Sequence, residues 1–219
     1  MLLENLEKVE ERIARAVQRA GRKRDEITLI AVTKVFPVAA LIDAYGAGLR
    51  EFGENYVQEF EGKFPQVSQL EGARFHLIGH LQSNKSKKAG EMFQVIQTVD
   101  SVKLARRLDE LNLPLEVMIE VKLADEDAKY GAAPEDLPDI VDEIIDSKNL
   151  RMRGLMTMPP WDENPEAPRP YFRRLRGLAE HFGIKNLSMG MSNDFETAIE
   201  EGATHIRVGT AIFGKRQKK

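Results

Sequence analysis

About eight short apolar runs, alternating with about eight stretches of helical character, constrain this chain more than any other feature of its sequence. The runs are Ile27–Lys34 (ITLIAVTK), Leu49–Gly53, Ala73–Gly79 (ARFHLIG), Val95–Val99, Leu115–Val121 (LEVMIEV), Met152–Met156, Ile184–Met189 and His205–Gly209 (HIRVG). The first is almost continuously aliphatic or β-branched, as expected of a strand covered on both faces in a parallel sheet. Between the runs, helices are predicted at Val38–Gly46, Asn55 to about Lys63, Lys85–Met92, Val102–Leu111, Pro170–Phe182 and Ser192–Glu200. Asp100 or Ser101 is placed to cap the fourth run's helix, and Pro134 sits in the first turn of another that runs to about Ser147. Strands alternating with helices at this spacing imply a parallel sheet, and eight such units close into a (β/α)8 TIM barrel. A doubly wound open sheet is the alternative, but no GxGxxG follows the first strand. The expectation is therefore an α/β fold, one barrel domain over residues 1–219, with longer loops only around Leu123–Pro134 and Pro159–Pro170. An extra helix precedes the barrel. Leu3, Leu6, Val9, Ile13, Ala16 or Val17, and Ala20 recur in steps of three and four, and Gly21 stops the pattern.

Composition excludes several functional classes. Cysteine is absent, so disulfides, thiolate metal sites and cysteine nucleophiles are out. A formal net charge of −3 offers no general field for nucleic acid or an anionic membrane. The first residues carry acidic side chains from Glu4 onward and no unbroken apolar core, so neither a signal peptide nor a membrane span is expected, and a cytoplasmic location is the default. Lys85, Lys87 and Lys88 and the GKRQKK tail lack an aromatic ladder and read as a solvated face. His76 and His80 share a strand face without a third ligand, so no metal is expected. The eight methionines read as core fill.

In a barrel of this type chemistry sits at the C-terminal ends of the strands. Lys34 ends the first strand, where partial loss of hydration would free an amine to attack a carbonyl. The rim is otherwise polar but poor in carboxylates, against a glycosidase pair or a hard-metal site. SMGMSND places Ser192 at the start of a predicted helix beside Gly190, and VGTAIFG places Gly209 and Thr210 at the start of another. Two such turns on adjacent strands can form an anion cradle, and the loops after strands seven and eight are the usual phosphate site in barrels. Arg207 lies two residues before Gly209 and should point into the barrel. It requires either a bound anionic or hydrogen-bonding partner or an internal ion pair with a glutamate such as Glu54 or Glu120.

An amine for a carbonyl, a phosphate cradle and a buried cation describe a pyridoxal phosphate site. The stretches AVTK, FGENYVQE, FHLIGHLQSNK, GLMTM, LSMGMSNDFETAI and IRVGTAIFG resemble the YggS/PROSC family of pyridoxal-phosphate-binding homeostasis proteins from about Ile27 to Gly214. That family's barrel is similar to the N-terminal domain of alanine racemase, the third structural class of pyridoxal phosphate enzymes. The resemblance implies that Lys34 forms the internal aldimine, a Schiff base, that Ser192, Gly209 and Thr210 bind the phosphate, and that Arg207 faces the pyridine nitrogen. It also implies Asn55 beside the ring, with Ser188 and Met156 lining the pocket. Two positions depart from the pattern: Thr33 stands where serine is usual, and Val121–Lys122 where many members carry VN, which bears on the pocket rim.

An arginine beside the pyridine nitrogen disfavours its protonation and weakens the ring as an electron sink. The related racemases also draw a tyrosine base from a C-terminal β domain, and nothing of that kind is expected between strand eight and Lys219. The expected function is thus cofactor binding and delivery to recipient apo-enzymes by a monomer, with no catalytic residue assigned. A single-domain racemase needs a base opposite Lys34, for which His80 and Tyr56 are the candidates. A cofactor-free lysine aldolase is a third class, but no carboxylate relay beside Lys34 is evident in the sequence.

Overall fold

The computed structural model describes residues 1–124 and 130–214. Eight parallel strands close in chain order: β1 (Thr28–Val32), β2 (Glu51–Glu54), β3 (Arg74–Leu77), β4 (Val95–Val99), β5 (Leu115–Glu120), β6 (Leu150–Met156), β7 (Leu187–Met191) and β8 (His205–Val208). Pairing of β1 with β8, Ala31 opposite Val208, shuts the barrel. The helices are α1 (Leu2–Arg19), α2 (Val38–Gly46), α3 (Val57–Val67), α4 (Ser86–Met92), α5 (Val102–Asp109), α6 (Leu137–Asp146), α7 (Arg169–His181), α8 (Phe195–Glu200) and α9 (Thr210–Phe213). The (β/α)8 barrel expected from the alternation is the fold observed.

Period-two alternation sorts the strand residues into two cores. On β3, Phe75 and Leu77 pack outward against the helices, while His76 points inward to Gln97 of β4. On β8, Ile206 and Val208 join the outer layer, and Arg207 reaches inward to Ser188 of β7. The outer layer is apolar; the barrel interior carries a buried polar set that includes His76, Gln97, Ser188, His205 and Arg207.

Several boundaries differ from the sequence reading, among them the start of β6 at Leu150 rather than Met152 and of α3 at Val57 rather than Asn55. Leu49 N–H closes the end of α2 on the Ala44 carbonyl (3.1 Å), so β2 begins at Glu51 rather than Leu49. Gly183 and Ile184 N–H groups likewise bond back onto α7, which delays β7 to Leu187. β7 then runs on to Met191, and α8 starts at Phe195 rather than Ser192, because the Asp194 carboxylate accepts from Met191 N–H (2.6 Å) and closes a turn there. Ser101 does cap α5, accepting from Leu104 N–H at 3.3 Å.

The amphipathic α1 buries Val9, Ile13, Ala16 and Val17. The three larger side chains contribute roughly 1.5–3 kcal/mol each. Its polar residues are equally specific about where they dock. Asn5 donates to the Ile212 carbonyl at the end of α9 (2.9 Å), and Arg12 bonds Glu196 and stacks over the Phe195 ring of α8. Arg22 donates to the carbonyls of Ile199 and Ala203 (3.0 and 2.7 Å). The N-terminal helix therefore clamps the two elements that follow β7 and β8. No helix among the described residues is long and apolar enough to cross a membrane.

Candidate functional site

A cavity of about 820 Å³ opens at the C-terminal ends of the strands. Its wall includes Lys34 after β1, Asn55 after β2, Ser192 after β7, and Arg207, Gly209 and Thr210 from β8 onward. Six residues singled out from the sequence are thus brought to one space from four separate strand ends.

The turn carrying Lys34 is held under strain. Val35 adopts φ +61°, which a β-branched residue rarely tolerates and which costs on the order of 1–3 kcal/mol. A buried ionic cluster beneath the turn over-determines it. Lys63 of α3 donates to the Thr33 carbonyl (2.9 Å) and to the carboxylates of Glu54 (2.8 Å) and Glu59 (2.7 Å). Glu54 also accepts from the Thr33 hydroxyl (2.7 Å), and Glu59 from Val35 N–H (2.6 Å). The Thr33 carbonyl and the Val35 N–H, on either side of Lys34, are thereby tied to one ion cluster. Burial raises the Glu54 carboxyl above its ordinary value, against the pull of Lys63 and Thr33. The hydroxyl that Thr33 shares with serine is the group the cluster uses.

On the opposite wall, Ser192 does not cap its own helix. Its Oγ accepts from Gly209 N–H (3.2 Å) and Ala211 N–H (3.3 Å), at the start of α9. Those two backbone donors converge on one oxygen, the arrangement an anion's oxygens would also satisfy. Gly190 underlies this turn with φ +93°, and a Cβ there would lie 2.5 Å from Ala198 Cβ. Only glycine meets both conditions.

Arg207 forms the floor. Its guanidinium donates to Ser188 Oγ (2.6 Å) and to the Thr157 carbonyl (2.9 Å). Burial pushes it down to about 10, opposed by the Glu120 and Asp194 carboxylates, so it remains a cation at neutral pH. Of the partners weighed from sequence, Glu54 is corrected: it faces the helix layer and is committed to Lys63. Glu120 does lie within electrostatic reach, but burial pushes it up to about 7 and its Oε2 has no hydrogen-bond partner. Two hydrogen bonds, rather than a close carboxylate, hold the guanidinium.

Asn55 is wedged by Gly79, where a Cβ would sit 2.3 Å from the Asn55 carbonyl, and its Oδ1 is buried without a partner. Met156 and Ser188, expected to line the pocket, are fully buried and are not among the residues lining the cavity. Met158 and Met191 line it instead, together with Phe36, Ile78 and Trp161. Trp161, the only tryptophan, was missed; its signal was an isolated aromatic in the long loop after the sixth strand, and it is 71% exposed at the cavity mouth. Lys122 lines a smaller cavity of about 260 Å³ that shares Met158, Trp161 and Met191 with the first. His80 stacks on Tyr130 there (3.6 Å between centroids), and Tyr56 is exposed; neither is among the residues lining the larger cavity. His76 bonds Glu51 and Gln97, and the described residues contain no cluster able to hold a metal.

The cavity thus offers an amine on a rigid turn, converging N–H donors for an anion, a buried cation on the floor and an apolar wall for a flat ring. Such a cavity suits a small, flat, anionic ligand.

Comparison with known proteins agrees with that geometry. Residues 5–217 match the family model described as alanine racemase, N-terminal domain. A pyridoxal phosphate homeostasis protein of Pseudomonas aeruginosa is 45% identical, over 98% of this chain and 96% of that protein. The structure of PipY of Synechococcus elongatus with PLP bound superposes with a TM-score of 0.86 at 36% identity, covering 98% of this chain and all of that one. An alanine racemase of Clostridium difficile superposes at 0.71 but only 11% identity, over 99% of this chain and 58% of that one, a likeness of fold. The chain belongs to the alanine racemase N-terminal domain family and, within it, to the pyridoxal phosphate homeostasis proteins.

Proposed function

We propose that this protein binds pyridoxal 5'-phosphate through a Schiff base on Lys34 and serves pyridoxal phosphate homeostasis by holding and releasing the cofactor. The observation that carries this reading is the convergence of Lys34, Arg207 and the Gly209 and Ala211 N–H groups on one cavity. Bound cofactor supplies an aldehyde and an electron-withdrawing ring. Lys34 provides the amine, and Ser192, Gly209 and Thr210 take the phosphate. Arg207 donates to the pyridine nitrogen, Asn55 lies beside the ring, and Ser188 acts through Arg207 from below. Met156 supports the wall from a buried position.

Two features favour holding over turnover. A guanidinium can only donate, so the nitrogen it faces keeps its lone pair and the ring remains a weak electron sink. Neither His80 nor Tyr56, the candidates for a second base, lines the cavity. Delivery to recipient apo-enzymes by a monomer is part of the proposal, and the exposure of Trp161 at the cavity mouth supports release of the cofactor.

The test is to load the protein with pyridoxal phosphate, reduce with borohydride and locate the pyridoxyl group by peptide mass mapping. Unreduced loaded protein is then mixed with an apo-enzyme. Modification at Lys34 and recovery of the recipient's activity are expected; modification elsewhere, or no transfer, would refute the reading. Conversion of added L-alanine to D-alanine by the loaded protein would favour the racemase instead.

A further inference from the structure

A hydrogen-bonded chain crosses the barrel interior from the cavity floor to its opposite end. Arg207 Nη1 lies 2.6 Å from Ser188 Oγ, and Ser188 Oγ lies 2.6 Å from Gln97 Oε1. Gln97 Nε2 lies 2.9 Å from His76 Nδ1, and His76 Nε2 lies 2.5 Å from Glu51 Oε2. Four strands contribute besides β8: β7, β4, β3 and β2, in that order. His76, Gln97, Ser188 and Arg207 are all at most 3% exposed, whereas the Glu51 side chain is 25% exposed at the far end.

The chemistry of the two ends sets the direction of every bond between them. A guanidinium has donors only, so Ser188 must accept from Arg207 and spend its own proton on Gln97 Oε1. That orients the Gln97 amide, leaving its NH₂ toward His76. The nitrogen facing that NH₂, Nδ1, must then accept, so the neutral imidazole carries its proton on Nε2 and gives it to the Glu51 carboxylate. All four bonds run the same way, from a buried cation to a carboxylate. Burial raises the Glu51 carboxyl, but the hydrogen bond from His76 Nε2–H and the neighbouring Arg74 guanidinium outweigh it and leave the group below its ordinary value.

The geometry points to Glu51, His76 and Gln97 as positioning residues that, through Ser188, fix the Arg207 guanidinium for recognition of a heteroaromatic ring nitrogen, with Glu51 the terminal acceptor that sets the polarity of the chain. This rests on reading the cavity as a pyridoxal phosphate site. Thr157 O and Ser188 Oγ hold the guanidinium from two sides, and the remaining N–H groups are left for the cavity. Cutting the chain at Gln97 touches neither the cavity wall nor Arg207. It leaves Ser188 free to turn its proton elsewhere and the guanidinium free to tilt.

Two measurements test this. In the free protein, ¹⁵N chemical shifts of the imidazoles report the His76 tautomer. The Nε2–H form is expected in wild type and in Glu51→Gln, and its loss is expected in Gln97→Glu, whose carboxylate cannot donate to Nδ1. An Nδ1–H tautomer in wild type would overturn the chain's polarity without any cofactor present. The second compares binding of pyridoxal phosphate with that of its 1-deaza analogue, which lacks only the ring nitrogen. Wild type should prefer the natural compound by roughly 10–100-fold, the worth of one charged hydrogen bond. Gln97→Leu should abolish most of that preference while leaving analogue affinity unchanged, and Glu51→Gln, less disruptive to folding, should reduce it. Equal weakening toward both compounds, or an intact preference in both variants, would overturn the proposal. Failure of wild type to bind either compound would instead refute the reading of the cavity itself.

Discussion

Removing the Lys63 ammonium tests the claim that a buried ion cluster holds the Lys34 turn. In Lys63→Met, Glu54 loses its cation at a position with no exposure at all. An uncompensated buried carboxylate takes up a proton rather than stay charged. Against an ordinary value of 4.5, that uptake at pH 7 costs up to about 3.4 kcal/mol, at about 1.36 kcal/mol for each pH unit. The lost bond to the Thr33 carbonyl adds about 1 kcal/mol. Urea unfolding should therefore show a loss of about 3–4 kcal/mol at pH 7. The sign of its pH dependence follows from a carboxyl whose folded value is raised: the protonated form is cheap at low pH and the penalty grows as pH rises. At pH 5 the uptake costs only about 0.7 kcal/mol, so the gap from wild type should narrow by up to about 2.7 kcal/mol, less what the already raised wild-type carboxyl regains over the same range. Adding Glu54→Gln should restore most of the stability at pH 7. A loss under about 1 kcal/mol, or one that does not change between pH 7 and 5, would refute the reasoning.

Other consequences are equally direct. Glu120, pushed up to about 7 by burial, is protonated and least costly at low pH, so its burden appears as pH rises from its ordinary value through 7. Glu120→Gln should gain about 2–3 kcal/mol relative to wild type at pH 8 and little at pH 5; an equal effect at both would contradict this. Gly190→Ala combines a φ of +93° with a Cβ 2.5 Å from Ala198 and should cost about 2–5 kcal/mol in urea unfolding, where a loss within about 0.5 kcal/mol would show the turn to be slack. Trp161 is the chain's only tryptophan and sits at the cavity mouth. Pyridoxal phosphate should quench most of the intrinsic fluorescence, and unchanged emission with binding seen by absorbance would place the ligand elsewhere.

What could be read from sequence divides along physical lines. The barrel was legible because each apolar run reports burial on both faces, and α2 and β4 were bounded to the residue. Arg207 could be placed inside because alternation along a strand is strict. Its partner could not, since Ser188 belongs to another strand and its register with β8 is interrupted by a bulge. Ser192 was recognised as a helix-capping hydroxyl, but the helix it serves lies 17 residues on, at Gly209. Lys63 was invisible. On a charged helix it looks solvated, and only the fold brings it to Thr33, 30 residues away. The same holds for Gln97, which reads as an ordinary strand residue, and for His76, weighed only as a metal ligand, until the interior is assembled. Motifs with local spacing survived the passage to three dimensions; polar networks assembled across strands did not announce themselves.

The sharpest comparison is the near-ultraviolet and visible spectrum of wild type and Lys34→Ala, each incubated with pyridoxal phosphate and then freed of unbound cofactor. Wild type should retain the absorbance band of a lysine Schiff base, and Lys34→Ala should lack it while keeping a folded far-ultraviolet circular dichroism spectrum. The same band in both proteins would place the cofactor on another lysine, and no band in either would remove pyridoxal phosphate from the function altogether.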